Sequence, residues 1–413
     1  MLQNREFNQI YKMKKTVVFL CEGKNHIKFF TNMENAFQEL GYTCVYFVLD
    51  FSIYLQLKEK TLNKIILAKK KDYSCNTEEV FCAKDYIEGV ISENDAKNIY
   101  KSVWYYCDRF CKESQINLII ASQGILTAEI AIKNFAKTNK IPILFFELAN
   151  IPGKTFWDIE GSNAKSYLYN HIEILDDYTI DERKFLNWKT KYIERNFKQH
   201  LVKQATGLRP FNYLYGLIGR FNFLFTGLNL YKFDILTKIK YFIKSRTIKI
   251  KYDEVDVCKE KYIFFPMQVA SDSQIILNSD IGLFDALKYS IEKAKKSNLK
   301  LIVKLHPAER DIDIINSILR LREKYKFNIV DNNTFEVIAN AQKVITINST
   351  VALEAMILDK PVEILGRSFY KFFNKERVKN YILGYLEDID FFSNKKFTVI
   401  QVKNLIKRIR IIR

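Results

Sequence analysis

Short apolar runs rich in β-branched residues alternate along the chain with longer stretches whose apolar residues recur at helical spacing. Strands joined by helical crossovers pair in parallel, so this alternation predicts an α/β fold built on parallel sheets. The predicted strands are 16–20, 44–49, 117–121 and 143–147 in the first half of the chain, and 262–266, 301–305, 327–330, 343–347 and 362–365 in the second. Two such sets predict two domains whose strand ends face a cleft.

The 413 residues are enough for two domains that each bury a core. Between the two sets of strands, residues 207–251 contain nine Lys or Arg, one acid and many aromatic residues. We therefore predict four segments. They are an N-terminal acceptor-side domain at 1–205, a basic aromatic helical connector at 206–255, a C-terminal nucleotide-sugar-binding domain at 256–380 and a basic C-terminal helix at 381–413.

The formal charge of +18 favours anionic partners. The basic aromatic connector suits an anionic membrane surface, but its aromatic residues can equally pack between two domains. The basic C-terminal helix can likewise lie on a membrane or pack back on the protein. No apolar stretch is long enough to span a membrane. Seven cysteines without a Cys-x-x-Cys pair predict free thiols in a reducing cytoplasm.

The run LIVKLHPAER, 301–310, ends a predicted strand in Lys304, His306 and a proline. Side chains at positions i and i+2 of a strand share a face, so both cations are expected at the carboxyl end of the strand. A lysine and a histidine there suit a phosphate leaving group, which histidine can hold or protonate near neutral pH. A histidine that is satisfied within the fold explains the same spacing.

Residues 343–366 read as a strand, a turn and a helix. Asn348, Ser349 and Thr350 are N-cap types at the start of the predicted helix. A helix that begins at a strand end offers free N–H groups to a phosphate. Glu354, one turn later, can accept hydrogen bonds from a ribose. A capped crossover helix without a ligand is the alternative.

Two further loops carry polar residues after predicted strands. After 262–266, Asp272 is either a catalytic carboxylate or a helix N-cap. After 143–147, a loop with packed aromatic residues carries Glu147, Asp158, Asn163 and Ser166. That loop is longer than a simple connection requires, which indicates a site.

The order of these motifs resembles that of the bacterial capsule polysaccharide biosynthesis proteins, over roughly residues 23–370. The matching stretches are a Gly–Phe-Phe start at 23–30, Glu147 with the region 152–166, Gln-Val-x-x-Asp-Ser-Gln at 268–274, Lys-x-His-Pro at 304–307, Ile-Asn-Ser-Thr-Val-x-Leu-Glu-Ala at 347–355 and LGRSFY at 365–370. The last three are the most specific. The region 147–166 departs from the family pattern at 148–149 and 161–163, which leaves the acceptor open.

The best-understood members of that family are retaining β-Kdo transferases with a GT-B-like fold of two Rossmann-type domains. The resemblance implies that this chain transfers Kdo from CMP-Kdo with neither a metal nor a cofactor. It implies that Asp272 is the nucleophile, that His306 binds the leaving group, and that Glu147 or Asp158 is the base. Binding residues implied on the donor side are Gln268, Ser273, Lys304, Asn348, Ser349, Thr350 and Glu354, and on the acceptor side Gly23, Gln123, Asn163 and Ser166.

The partners implied are a nucleotide-sugar donor, a lipid-linked or oligosaccharide acceptor, the anionic inner-membrane surface and other capsule assembly enzymes, but no nucleic acid. A cytoplasmic protein that is peripheral at the inner membrane is expected. Another donor, a UDP-sugar or a CDP-alditol, is the alternative within the enzyme class. A non-enzymatic module that binds through its charge is a third hypothesis, and it predicts no effect of mutating Asp272 or His306.

Overall fold

The computed structural model describes residues 15–198, 215–216, 218–231 and 250–411. These residues form two compact units. The first unit contains the described residues of 1–162, 208–232 and 388–413, and the second contains those of 163–207 and 233–387. The division differs from the four predicted segments, because residues 163–198 belong to the second unit and the end of the chain belongs to the first. Most of the predicted connector, 206–255, lies outside the described residues.

Each unit is built on its own sheet. The strands of the first sheet are β1 Lys15–Leu20, β2 Tyr42–Val48, β3 Lys64–Leu67, β4 Ile116–Ser122, β5 Ile143–Leu148 and β6 Thr155–Asp158, in the order β3-β2-β1-β4-β5-β6. Those of the second are β7 Tyr262–Pro266, β8 Lys300–Lys304, β9 Asn328–Ile329, β10 Lys343–Thr346 and β11 Val362–Ile364, in the order β11-β10-β7-β8-β9. All pairings are parallel except that of β6 with β5. The predicted α/β fold with two parallel-dominated sheets is confirmed.

Helices connect the strands. In chain order the described α-helices are α1 Lys24–Thr31, α2 Glu34–Glu39, α3 Phe51–Lys58, α4 Lys84–Ile87, α5 Glu93–Glu113, α6 Thr127–Thr138, α7 Tyr167–Asn170, α8 Glu182–Lys198, α9 Asn222–Thr226, α10 Ser273–Asn278, α11 Leu283–Lys296, α12 Ile312–Tyr325, α13 Thr334–Asn340, α14 Val351–Ile357, α15 Lys375–Asn380 and α16 Val399–Ile411. Single 3-10 turns lie at 78–82, 163–165, 172–177 and 369–372, and a π turn follows α15 at 381–385.

Both faces of the first sheet are covered. Alternate residues of β1 show why: Val18 and Leu20 enter the core beneath α5 and α6, whereas Val17 and Phe19 enter the core beneath α1 and α2. Side chains of a strand alternate between the two faces, and strands buried on both faces read as continuous apolar runs. This is why TVVFL is apolar throughout.

The C-terminal helix α16 packs on the first unit. Val402, Leu405 and Ile409 lie at helical spacing and are buried in the same core as Phe19. Arg408 donates from Nη1 to the carbonyl oxygen of Trp157 at 3.1 Å. Of the two interpretations of this segment, the structure supports packing against the protein.

The second sheet is covered in the same way, with α11 and α12 on one face and α13 and α14 on the other. Its central strand β7 is buried along its whole length. All seven cysteines lie among the described residues and carry free thiols. Within the described part of the chain, none of the helices combines the length and hydropathy that crossing a bilayer requires.

Candidate functional site

The order of the strands points to a ligand site at the carboxyl edge of the second sheet. The chain runs from β7 to β8 and β9 on one side, and then returns to add β10 on the other side of β7. In open parallel sheets, ligands bind outside the carboxyl ends of the strands where the strand order reverses. That position lies between β7 and β10, and the motifs at 268–274 and 347–355 follow these two strands.

Two buried amides join the loops at this position. Gln268 donates from Nε2 to Oδ1 of Asn348 at 3.1 Å, and its Oε1 accepts from the backbone N–H of Asn348 at 3.3 Å. Asn348 donates from Nδ2 to the carbonyl oxygens of Gln274 at 2.7 Å and Asn278 at 3.1 Å. A buried amide with all these bonds made is fixed in place. Gln268 and Asn348 thus set the shape of the site.

Ser349 and Thr350 follow Asn348 before α14 begins. The hydroxyl of Ser349 accepts from the backbone N–H of Val351 at 3.2 Å, as an N-cap type does. Thr350 is exposed and precedes the seven-residue helix in a helical conformation. Glu354, in the first turn, is half-buried. Thr350 is therefore the more exposed of the two hydroxyl residues at this edge.

Asp272 is the N-cap of α10. Its Oδ1 accepts from the backbone N–H of Gln274 at 2.8 Å, and the side chain is half-buried. This bond uses one carboxyl oxygen and leaves Oδ2 for a substrate. The two interpretations of Asp272, cap and catalytic carboxylate, are therefore compatible. Ser273 begins α10, and its side chain lies outside the described part of the structure.

The strand β8 ends at Lys304, one residue earlier than predicted. The ammonium of Lys304 donates to the carbonyl oxygens of Asn332 and, at 3.4 Å, of Asp331. Burial lowers the pKa of Lys304. His306 lies beyond the strand end and is exposed, with Nδ1 accepting from the N–H of Ala308 at 3.1 Å. In this structure Lys304 stabilises the neighbouring loop, whereas His306 is exposed to solvent.

Glu309 is a residue that the sequence analysis missed. It is 8% exposed, and its carboxylate accepts three backbone N–H bonds: from Ala270 at 2.9 Å, and from Arg310 and Asp311 at 2.8 Å each. Ala270 lies in the loop that carries Asp272, and Glu309 itself follows His306. This carboxylate therefore joins the two loops that carry the predicted nucleophile and the predicted leaving-group ligand. The only sequence feature that indicated a role for Glu309 was its position three residues after His306.

The LGRSFY stretch closes this edge. A Cβ on Gly366 would lie 3.0 Å from both Ile347 Cγ2 and Ser279 Oγ, so the close approach favours glycine. Arg367 donates from Nη1 to the carboxylate of Asp280 and from its backbone N–H to the carbonyl oxygen of Asn278. Arg310 is exposed. The arginine of this motif thus holds the loop after α10.

The predicted acceptor-side residues lie at several places. Glu147, the fifth residue of β5, is half-buried and accepts from Nε2 of Gln123 at 3.1 Å. Gly23 is the N-cap of α1, with open space where a Cβ would project. Gly23, Gln123 and Glu147 lie at or just after the last residues of β1, β4 and β5. They therefore lie at the carboxyl edge of the first sheet, as expected for neighbouring parallel strands.

Asp158 is buried and hydrogen-bonded within its own turn. It is 1% exposed, and its Oδ1 accepts from the N–H groups of Glu160 at 2.8 Å and Gly161 at 3.2 Å. Ser166 is buried and caps α7, and its hydroxyl donates to the carbonyl oxygen of Asn163 at 2.6 Å. Asn163 takes a positive φ of 51°. These residues shape their own turns, so Glu147 is the more accessible of the two proposed bases.

Comparison with known proteins places the chain in a family. The model of the capsule polysaccharide biosynthesis protein family matches residues 133–373, more than half of the chain. Protein FixF of Sinorhizobium fredii is 33% identical over 133 residues, which cover 31% of this chain and 32% of FixF. The capsule polysaccharide export protein KpsS of Escherichia coli is 27% identical over 121 residues, which cover 27% of this chain and 31% of KpsS. The matches thus span about a third of these curated relatives.

A solved structure, the KpsC β-Kdo 2,7 transferase of Thermosulfurimonas dismutans, aligns with 97% of this chain and 100% of its own length, at 13% sequence identity and a TM-score of 0.45. The family match includes the loops after β7, β8 and β10 that form the edge described above. The chain belongs to the capsule polysaccharide biosynthesis protein family.

Proposed function

We propose that this chain is a glycosyltransferase of capsular polysaccharide assembly that transfers Kdo from CMP-Kdo, with retention, to a lipid-linked or glycan acceptor. The observation that carries the proposal is the edge of the second sheet. There the buried Gln268–Asn348 pair and the Glu309 carboxylate hold three strand-end loops together. These loops carry Asp272, His306 and Thr350, and the proposal assigns their carboxylate, imidazole and hydroxyl groups to one ligand.

The chemistry assigned to these groups is a double displacement. The carboxylate of Asp272 attacks the anomeric carbon, and the bond to the CMP phosphate breaks with its electron pair on the phosphate. His306 and Thr350 hydrogen-bond the leaving phosphate, and His306 can protonate it near neutral pH. The oxygen of the acceptor hydroxyl then attacks the anomeric carbon, and the bond between the sugar and the Asp272 carboxylate breaks. Glu147 takes the proton of that hydroxyl. Two inversions at one carbon retain the configuration.

Side-chain chemistry alone supplies each of these steps. No metal or cofactor is assigned a role. Gln268, Ser273, Lys304, Asn348, Ser349 and Glu354 are assigned to donor binding, and Gly23, Gln123, Asn163 and Ser166 to the acceptor side. For Gln268 and Asn348 this binding role is to shape the pocket, because their side-chain amides already bond to each other.

The test is CMP release from CMP-Kdo by the purified chain, with and without a lysophospholipid acceptor, compared with the spontaneous rate. Release that increases with the acceptor supports the proposal, and release at the spontaneous rate in both conditions contradicts it. A thermal-shift series with CMP, CDP and UDP tests the donor. A ligand at 100 times its Kd adds about 2.7 kcal/mol to the stability, so the correct nucleotide gives the largest shift.

We further propose that the chain acts at the anionic inner-membrane surface. The helix α9 exposes 53% of Phe223 and 73% of Leu224. It is held by the buried Asn222, whose Oδ1 accepts from the N–H of Phe51 at 2.8 Å, and by stacking of Phe225 on the ring of Phe51 at 4.3 Å. Exposed apolar side chains on a helix held by these contacts, within a basic segment of the sequence, suit a membrane interface.

Replacing Phe223 and Leu224 with serine tests this location. Full burial of one such side chain contributes about 1.5–3 kcal/mol, so the double variant is expected to bind vesicles with anionic lipid at least tenfold more weakly in a flotation assay. Leu62→Ser is the matched control, because Leu62 is fully exposed elsewhere on the first unit. Equal binding by the double variant and the control would exclude α9 as the contact.

A further inference from the structure

The first unit contains a cavity of about 210 Å³ at the carboxyl edge of its sheet. Glu22, two residues after β1, and Asp50, two residues after β2, both line it. The strand order of this sheet reverses between β1 and β4. The cavity therefore lies beside the position where open parallel sheets bind ligands, and none of the residues assigned above to the donor or the acceptor lines it.

A pair of carboxyl groups borders this cavity. Glu129, on α6, is 1% exposed, and its Oε2 accepts from the N–H groups of Ile125 at 2.8 Å and Leu126 at 2.9 Å. These bonds favour the ionised form of Glu129. Glu22 is hydrogen-bonded to Glu129, and burial together with this neighbouring carboxylate raises the pKa of Glu22 well above its usual range. Burial also raises the pKa of Glu129, so the two carboxyl groups form one hydrogen-bonded acid pair.

The second carboxyl oxygen of Glu22 is unsatisfied. Oε2 is fully buried and has no hydrogen-bond partner among the described residues. A buried polar atom without a partner costs about 1–3 kcal/mol. Glu22 itself lines the cavity, so a guest hydroxyl group that hydrogen-bonds to this carboxyl group would remove the cost. The arrangement is thus prepared for a hydrogen-bonding guest.

The other lining residues define the guest further. Four carboxyl groups (Glu22, Asp50, Asp85 and Glu88) line the cavity with one cation, Lys84, which lies 3.8 Å from Glu88. This excess of acid disfavours phosphate or carboxylate groups. Among the described residues no three potential ligands are arranged to hold a metal ion. An uncharged polyol fits both observations.

The size of the cavity limits the guest to one ring. It is smaller than the roughly 300 Å³ at which pockets for drug-sized ligands begin, and at about 30 Å³ per molecule it has room for about seven waters. Leu49, Val90 and Leu230 add apolar wall, and the half-exposed Tyr231 also lines the cavity. Hydroxyl acceptors beside apolar wall match the two kinds of surface of a pyranose.

We propose that this cavity binds one uncharged sugar ring of the acceptor, and that Glu22 forms a hydrogen bond with a hydroxyl group of that ring. The identification of the ring as part of the acceptor rests on the glycosyltransferase function proposed above. The binding of a neutral sugar does not depend on it. The site selects against acidic sugars, in contrast to the donor.

Saturation-transfer NMR on the full chain tests the proposal, with methyl glycosides of glucose, galactose and N-acetylglucosamine at millimolar concentration. At least one of them is expected to bind, and methyl glucuronide is expected to bind at least tenfold more weakly than that glycoside. Glu22→Gln and the cavity-filling Val90→Phe are each expected to weaken neutral-sugar binding tenfold or more. Glu39→Gln, an exposed carboxylate of the same unit, is the matched control.

Binding of none of the neutral glycosides would overturn the proposal, as would binding that is unchanged in both variants. The thermal unfolding midpoint shows whether each variant is folded, and the second variant keeps the test valid if the first is not. The CMP release assay on the wild-type chain separates the two hypotheses. Release without sugar binding overturns the cavity proposal alone, whereas sugar binding without release overturns the proposed function alone.

Discussion

At the carboxyl edge of the second sheet the exposed residues include His306, Arg310 and Thr350, whereas at the same edge of the first sheet Glu22 and Asp50 line a cavity. Both sheets reverse their strand order at these positions, so topology gives each a place for a ligand. The side chains differ in charge, so the ligands that we propose for the two edges differ: an anionic donor beside His306 and Arg310, and hydroxyl groups beside the carboxyl groups of the first sheet.

The two edges also differ in the burial of a histidine that follows a strand. His26, on α1 after β1, contacts the rings of Phe30, Phe146 and Phe391, and burial lowers its pKa to about 4. His306, after β8, is exposed. Burial keeps His26 neutral well below physiological pH, whereas an exposed imidazole is accessible to exchange protons with a substrate. Position after a strand therefore does not decide whether a histidine is functional.

The largest expected effect is that of Asp272→Asn. The amide cannot attack the anomeric carbon, so we expect the rate of transfer to fall by about 10³-fold or more, whereas Asn can still cap α10 and preserve the fold. CMP release under saturating donor measures it. Asp280→Asn, the exposed partner of Arg367, is the control. Activity within tenfold of the wild type would remove Asp272 from the mechanism.

The next largest expected effect is the difference in transfer rate between the Glu147→Gln and Asp158→Asn variants. Loss of a general base lowers the rate by about 10²–10⁴-fold, and we expect this of Glu147. Asp158 accepts two N–H bonds of its own turn, so its substitution should lower the free energy of unfolding by about 1–3 kcal/mol and leave the rate per folded molecule near that of wild type. Acceptor-dependent rates and urea unfolding of both variants decide between them. The reverse result would make Asp158 the base.

Glu309→Ala tests whether the second edge depends on its buried carboxylate. Three backbone N–H groups lose their acceptor, so we expect a loss of about 1–3 kcal/mol in the free energy of unfolding. Misplacement of the loops carrying Asp272 and His306 should raise the KM for the donor about tenfold. Glu292→Ala, exposed on α11, provides the comparison. An unchanged KM would show that the loops keep their positions without Glu309.

The smallest effect concerns His26 and pH. Its folded pKa of about 4 lies below the unfolded value of about 6.5, so the unfolded chain binds more protons between these values and stability falls on acidification. Between pH 7 and pH 5 this costs about 2 kcal/mol. His26→Asn should lose that much less stability in urea unfolding across this interval. Asn25→Ser, a non-titrating substitution of the exposed neighbour of His26, should behave like wild type, and identical pH slopes for all three chains would contradict the assignment.

Much of the fold follows from local sequence. Every predicted strand has a counterpart within two residues of its predicted ends, because strands buried in parallel sheets are continuous apolar runs. The missed strands β3 and β6 have four residues each, and β6 pairs antiparallel at an edge. Such short edge strands are formed by pairing with a neighbour, which no local pattern reveals.

The motifs at 268–274, 304–307 and 347–355 were visible because residues of one motif are adjacent in sequence. By itself, the sequence determined the two α/β sheets, the family and the polar residues that follow each strand of the second sheet. Only the tertiary structure decided that Glu309 is buried between two loops, that Lys304 bonds to carbonyl oxygens, and that Glu22 meets Glu129 107 positions later. Burial and hydrogen bonding across a sheet edge depend on which strands are neighbours, and that is set by packing of the whole domain rather than by local preference.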